Sequence, residues 1–197
     1  MTDASNQAVR RLFLQAAAGL AIPTLAQAEK ISETVGTMLD TSQLDPGKPG
    51  DFDFLHGEWR IKHRRLKDPA TNHWDVFDGE ATCWSILNGL ASIEELRIPA
   101  RQFSGMGLRI LDVENKLWSD FWVNSKSGVL TAPGVTGGFK DKVGIFISEE
   151  VEQEKTILAR GMWDNISRQT CRWQQAISND GGKSWQTNWI MDWQRFA

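Results

Sequence analysis

The stretch Trp185-Gln186-Thr187-Asn188-Trp189-Ile190-Met191-Asp192-Trp193-Gln194-Arg195 decides the fold. Trp185, Thr187, Trp189, Met191, Trp193 and Arg195 recur at every second position, so in an extended chain they share one face. A helix would scatter them around its circumference, because its period is 3.6 residues. The same alternation opens the domain, where Trp59, Ile61, His63 and Arg65 oppose Arg60, Lys62 and Arg64. It returns mid-chain, where Trp118, Asp120, Trp122 and Asn124 oppose Leu117, Ser119, Phe121 and Val123. After residue 50 no helical period is sustained.

Runs rich in Trp, Phe, Val, Ile and Thr fall at 58–66, 74–87, 90–98, 105–112, 117–124, 128–132, 142–150, 156–164, 169–178 and 185–195. Turn residues separate them: Asp68-Pro69, Asn88-Gly89, Asp112 to Asn115, Asn124 to Gly128, Gly134 to Gly138, and Asp180-Gly181-Gly182. Asn88-Gly89 is a two-residue hairpin cue, because both positions favour positive φ. The expected fold class is all-β, an up-and-down antiparallel barrel of about ten strands, since closure removes exposed sheet edges. Its interior should be rich in aromatic rings and carry a few charges.

The N-terminus reads as an address. Arg10-Arg11 precede Phe13-Leu14, an Ala/Gly-rich segment follows to Leu25, and Ala26-Gln27-Ala28 supplies a small-x-small cleavage site. The segment is too short for a bilayer, which needs about 20 apolar residues. Residues 1–28 are therefore expected to be a twin-arginine signal peptide, 29–50 a linker, and 51–197 the barrel domain, with the periplasm as destination. The competing reading is an amphipathic N-terminal helix of a cytosolic protein.

The chain has 22 basic and 25 acidic residues, a net charge of −3. This mild acidity gives no electrostatic reason for a nucleic-acid partner, and no segment reaches membrane-spanning length. Cys83 and Cys171 are the only cysteines. They either form one bridge in an oxidising compartment or stay as two buried thiols.

Two segments carry a family resemblance. Phe52-Asp53-Phe54-Leu55-His56-Gly57-Glu58-Trp59 leads a Gly-x-Trp into the first strand, and Arg195 lies near the chain end. Arg172-Trp173-Gln174-Gln175-Ala176, then Ser178 to Trp185 and Thr187-Asn188-Trp189, complete the pattern. The domain resembles the calycin superfamily, and within it a bacterial family of lipocalin-like barrels of unknown function. The resemblance implies that Trp59 closes the barrel floor with Arg195 packed across it, a cation over an indole. It brings no catalytic residues. Ser178-x-Asp180-x-Gly182-x-Ser184-Trp185 also resembles the Asp-box of sialidase propellers; one copy serves as a turn device and cannot build a propeller.

The expected ligand-binding residues are Trp59, His63, Arg65, Trp118, Trp122, Trp189 and Met191, with Arg160 and Arg172 as a clamp for an anionic group. Ten tryptophans and no tyrosine favour flat or apolar ligands. The leading expectation is a carrier of a small apolar or aromatic molecule. The alternative is an enzyme in which His63 works with Glu94 or Asp120 in acid–base chemistry. No cofactor and no metal is expected. Some calycin barrels hold haem through a late histidine, and here none follows His73, leaving His63, Met162 or Met191 as substitutes. His63 as an ordinary core histidine is the bland reading.

Overall fold

The computed structural model describes residues 40–152 and 155–196. The export signal and cleavage site expected over 1–28 lie outside the described residues. Ten strands run in chain order: β1 Gly57–Asp68, β2 His73–Ile86, β3 Ala91–Ile98, β4 Phe103–Asp112, β5 Leu117–Asn124, β6 Val135–Lys140, β7 Val143–Glu152, β8 Lys155–Asp164, β9 Thr170–Ser178 and β10 Gln186–Arg195. Each pairs antiparallel with its sequence neighbours, and β1 also pairs with β10, so the sheet closes into an up-and-down barrel. All-β fold class, topology and strand number agree with the sequence reading.

The sixth strand does not lie at 128–132. It is Val135–Lys140, which overlaps the stretch read as a Gly134-to-Gly138 turn. The glycines there mark close approach. A side chain at Gly134 would meet the Phe121 ring at 2.8 Å, and one at Gly137 would overlap the Phe146 ring at 2.5 Å. Val129 and Leu130 sit in an exposed loop. At the β2–β3 turn the positive φ expected of Asn88 and Gly89 is present at 55° and 85°, and Leu87 joins them at 52°.

The alternating row 185–195 is broken once. Thr187 opposes Ala176 while Trp189 opposes Gln175, so Asn188 is an extra residue in β10. One inserted residue exchanges the faces on either side of it. Trp189, Met191 and Trp193 consequently face the interior, whereas Trp185 packs outside with Ile147 and Leu158.

The loop before β10 is built by the Asp-box residues. The Asp180 carboxylate accepts from the Ser184 amide at 2.9 Å and its hydroxyl at 2.6 Å, and the Ser178 hydroxyl accepts from the Gly182 amide at 2.8 Å. These bonds hold the Asp180 carboxyl far below its usual range, the Ser184 hydroxyl contributing most.

One end of the barrel is shut. The β2–β3, β4–β5, β6–β7 and β8–β9 turns lie there, and the preceding segment crosses beneath them. Asp45 N–H donates to the Phe139 carbonyl (2.7 Å), Gly47 to Lys116 (2.8 Å) and Gly50 to Gly89 (3.0 Å). Phe52 and Leu55 then turn upward into the barrel and are fully buried. The Phe52 ring meets Trp118 edge-on at 4.9 Å, and Phe54 meets Trp163 at 5.7 Å. Trp59 is fully buried, and its indole N–H donates to the Leu55 carbonyl at 2.6 Å.

Arg195 locks this floor. Its guanidinium lies 4.2 Å from the Trp59 ring centroid, as the resemblance implied. It donates to the carbonyls of Phe54 (2.8 Å), Arg168 (2.9 Å) and His56. Gly57, at φ 117°, leaves space for it, since a β-carbon there would sit 2.6 Å from Arg195 Nη1.

Three carbonyls served by one cation make Arg195 irreplaceable by a point charge. Arg195→Ala is expected to lower stability by about 2 kcal/mol, and Arg195→Lys to recover less than half of that. Urea unfolding followed by tryptophan emission measures both.

Candidate functional site: a cavity walled by tryptophan

The opposite end of the barrel carries the β1–β2, β3–β4, β5–β6 and β9–β10 hairpins and opens into a cavity of about 380 Å³. This is at the lower end of the roughly 300–1,000 Å³ seen for small-molecule sites. Trp122, Trp163, Trp173 and Trp189 present indoles to it from β5, β8, β9 and β10. Leu96, Ile98 and Met191 fill between the rings, with Phe77 and Phe103 higher up. The Trp122 indole lies over Gly105 of the neighbouring strand and occupies the space a β-carbon would need there.

Three charged side chains form the inner polar site. Arg109 on β4 is 4 % exposed and Glu94 on β3 is 1 % exposed. Arg109 Nη2 donates to the Glu94 carboxylate at 2.6 Å. Arg109 Nε lies 3.4 Å from the Asp120 carboxylate on β5, too poorly aligned for a hydrogen bond. Arg109 Nη1 has no protein partner among the described residues. The guanidinium also stands 5.3 Å from the Trp163 ring centroid and 5.4 Å from that of Phe52. Burial opposes the Arg109 charge, but Glu94 and Asp120 outweigh it and hold the proton more firmly than usual. Asp120 is pushed up to about 6, chiefly by burial and further by Glu94, with Arg109 pulling the other way.

The charged side chains that line the mouth are cations. Arg65, Arg101 and Lys126 line it, and Arg65 stands 5.0 Å from the Trp189 ring centroid. Arg101 lies over Phe77 at 3.4 Å and is paired with Asp75 at 2.6 Å.

Of the residues expected to bind ligand, Arg65, Trp122, Trp189 and Met191 line the cavity, as do Glu94 and Asp120. Trp59 and Trp118 are fully buried beneath it as part of the floor. Arg160 and Arg172 do not form a clamp in the cavity. Trp163 and Trp173 point inward from β8 and β9, so by strand parity Arg160 and Arg172 point outward. Arg160 lies over Trp185 at 4.4 Å, and Arg172 donates to Asp192 at 2.7 Å.

His63 faces inward yet is not part of the cavity wall. It stacks on Phe77 at 4.6 Å with 5° between the planes, accepts from Trp189 Nε1 at 3.2 Å, and points Nε2 over Gly79. Nε2 has no protein partner among the described residues. Burial, aided by the Arg101 charge, pushes His63 down to about 3. It is a neutral packing group, apart from the carboxylates with which the catalytic reading joins it. Cys83 and Cys171 are free, buried thiols, each pushed up by burial.

Arg109 escaped the sequence reading although it ties Glu94 to Asp120. Its signal lay in Gly105-Met106-Gly107-Leu108-Arg109, where two glycines share the inward face with one arginine. A β-carbon at Gly107 would sit 3.0 Å from the Arg109 guanidinium.

Two outcomes are expected. Arg109→Met alone leaves Glu94 buried without its cation and costs about 3–5 kcal/mol, whereas the Arg109→Met/Glu94→Gln double variant regains most of this in a double-mutant cycle. His63 has a folded pKa below its unfolded one, so its contribution to stability is full above about pH 6.5 and is lost as pH falls toward 3. Asp120 runs oppositely, losing stability as pH rises from 3.8 to about 6. His63→Leu should therefore remove part of the wild-type loss of stability between pH 6.5 and 4.5, read from urea midpoints.

No protein-family model matches the chain, and no curated protein matches it.

Proposed function

We propose that this chain is an exported lipocalin-like barrel that binds a small, flat, largely apolar molecule in its cavity. The observation that carries the reading is the set of four indoles around one open space of about 380 Å³. Indoles offer large rigid surfaces at low entropic cost and favour aromatic ligands by stacked or edge-on contact. Membership of the calycin superfamily rests on the Gly57-x-Trp59 opening and Arg195, together with the closed barrel. Export to the periplasm rests on Arg10-Arg11 and Ala26-Gln27-Ala28.

A carrier accounts for the site better than an enzyme does. His63 is stacked into the wall, and Glu94 is engaged by Arg109, leaving Asp120, pushed up to about 6 by burial, as the cavity-facing carboxyl without a hydrogen-bonded cation. Lone acid–base chemistry at Asp120 is the surviving catalytic reading.

Titration with a panel of aromatic and aliphatic compounds, followed by tryptophan emission, tests the proposal. Planar aromatics should change the emission at micromolar concentration, and Trp122→Ala should weaken them at least tenfold without unfolding the barrel. Absence of any response across the panel overturns the reading.

A further inference from the structure

The cavity is electrically polarised along its axis. Its two lining carboxylates, Glu94 and Asp120, are both at the inner end beside Arg109, and its other charged side chains, Arg65, Arg101 and Lys126, are all cations near the mouth. At the inner end, Arg109 is nine-tenths buried with Nη1 unpartnered by protein, and the Asp120 carboxylate lies 3.4 Å from Nε of the same guanidinium. The unpartnered Nε–H of Arg109 and the Asp120 carboxylate thus sit side by side at the inner end of an aromatic slot. A ligand oxygen that both accepts and donates satisfies them together, and a buried donor left without a partner costs about 1–3 kcal/mol.

The charges decide which oxygen. A ligand carboxylate at this depth would place a third anion beside two carboxylates and one guanidinium in a poorly solvated site. A neutral hydroxyl adds no charge. At the mouth the balance is reversed, and an anionic group is attracted by three cations, although Asp75 offsets part of the Arg101 charge.

Resting on the reading of the cavity as a ligand site, we infer that the ligand is a planar aromatic acid with a neutral hydroxyl at its far end. It enters hydroxyl first: the hydroxyl donates to Asp120 and accepts from the Arg109 guanidinium, the ring lies among the indoles, and the carboxylate stays among Arg65, Arg101 and Lys126. The orientation follows from the charge order along the cavity, and the hydroxyl preference from the adjacent donor and acceptor.

Three probes of similar shape test this on the full chain by tryptophan emission and calorimetry: 4-hydroxycinnamate, cinnamate, which lacks the hydroxyl, and 4-vinylphenol, which lacks the carboxylate. 4-Hydroxycinnamate should bind at least tenfold tighter than either. Asp120→Leu should shrink the advantage of 4-hydroxycinnamate over cinnamate to below threefold. Lys126→Glu, at an exposed position outside the core, should shrink its advantage over 4-vinylphenol by at least threefold. Equal affinities for the three probes in the wild-type protein, or a hydroxyl preference that survives Asp120→Leu, overturn the inference while leaving aromatic binding intact. If none of the three binds, the ligand-site reading falls with it.

Discussion

Closure of β1 against β10 is the constraint from which the rest of the molecule follows. Trp59 opposes Arg195 directly in that ladder, and the successive pairs Ile61 with Trp193, His63 with Met191 and Arg65 with Trp189 set the height of every other inward side chain. A one-residue slip at this seam would turn the inward row of the slipped strand, indoles included, out to solvent. Arg195 fixes the seam by binding carbonyls on two separate connections while lying over Trp59. The floor is thus held by backbone groups and a cation as well as by packed rings.

Above the floor the interior changes character within a short distance. Trp59, Trp118 and Trp193 are sealed from water. Glu94 and Arg109 come next, an ion pair set in apolar surroundings. Such a pair is weak support for stability, because desolvation offsets much of the attraction. The pair stands at the inner end of the open cavity, where its charges set the local field. Asp120 adds a second carboxylate, and burial makes its proton easy to gain, against the pull of Arg109 and with some help from Glu94.

Much of the fold was legible because period-two alternation is a direct record of a wall with an inside and an outside. Trp59 to Arg65 and Trp118 to Asn124 kept that record intact. Two things erased it locally. The extra residue Asn188 exchanged faces within one apparent row, and alternation alone cannot reveal a bulge. Gly134, Gly137 and Gly138 looked like a turn because glycine serves both bends and tight strand contacts. At the site, inward residues on the strands first singled out, Arg65, Trp122 and Trp189, were legible. Arg160 and Arg172 were not separable from cavity residues without knowing which parity of β8 and β9 faces in. His63 was identified as inward, but its neutrality depends on burial, which comes from stacking on Phe77 across the first hairpin and from Trp189 on the last strand.

The two ends of the barrel answer to different demands. Everything that closes the sheet, from Phe52 and Leu55 to Arg195, gathers at the floor, while Arg101 and Lys126 sit on or beside hairpins at the mouth. Energetic effects of well-separated sites add nearly independently. The mouth hairpins are therefore free to vary in length and charge without touching the seam, so the chemistry of the open end can change while folding stays the same.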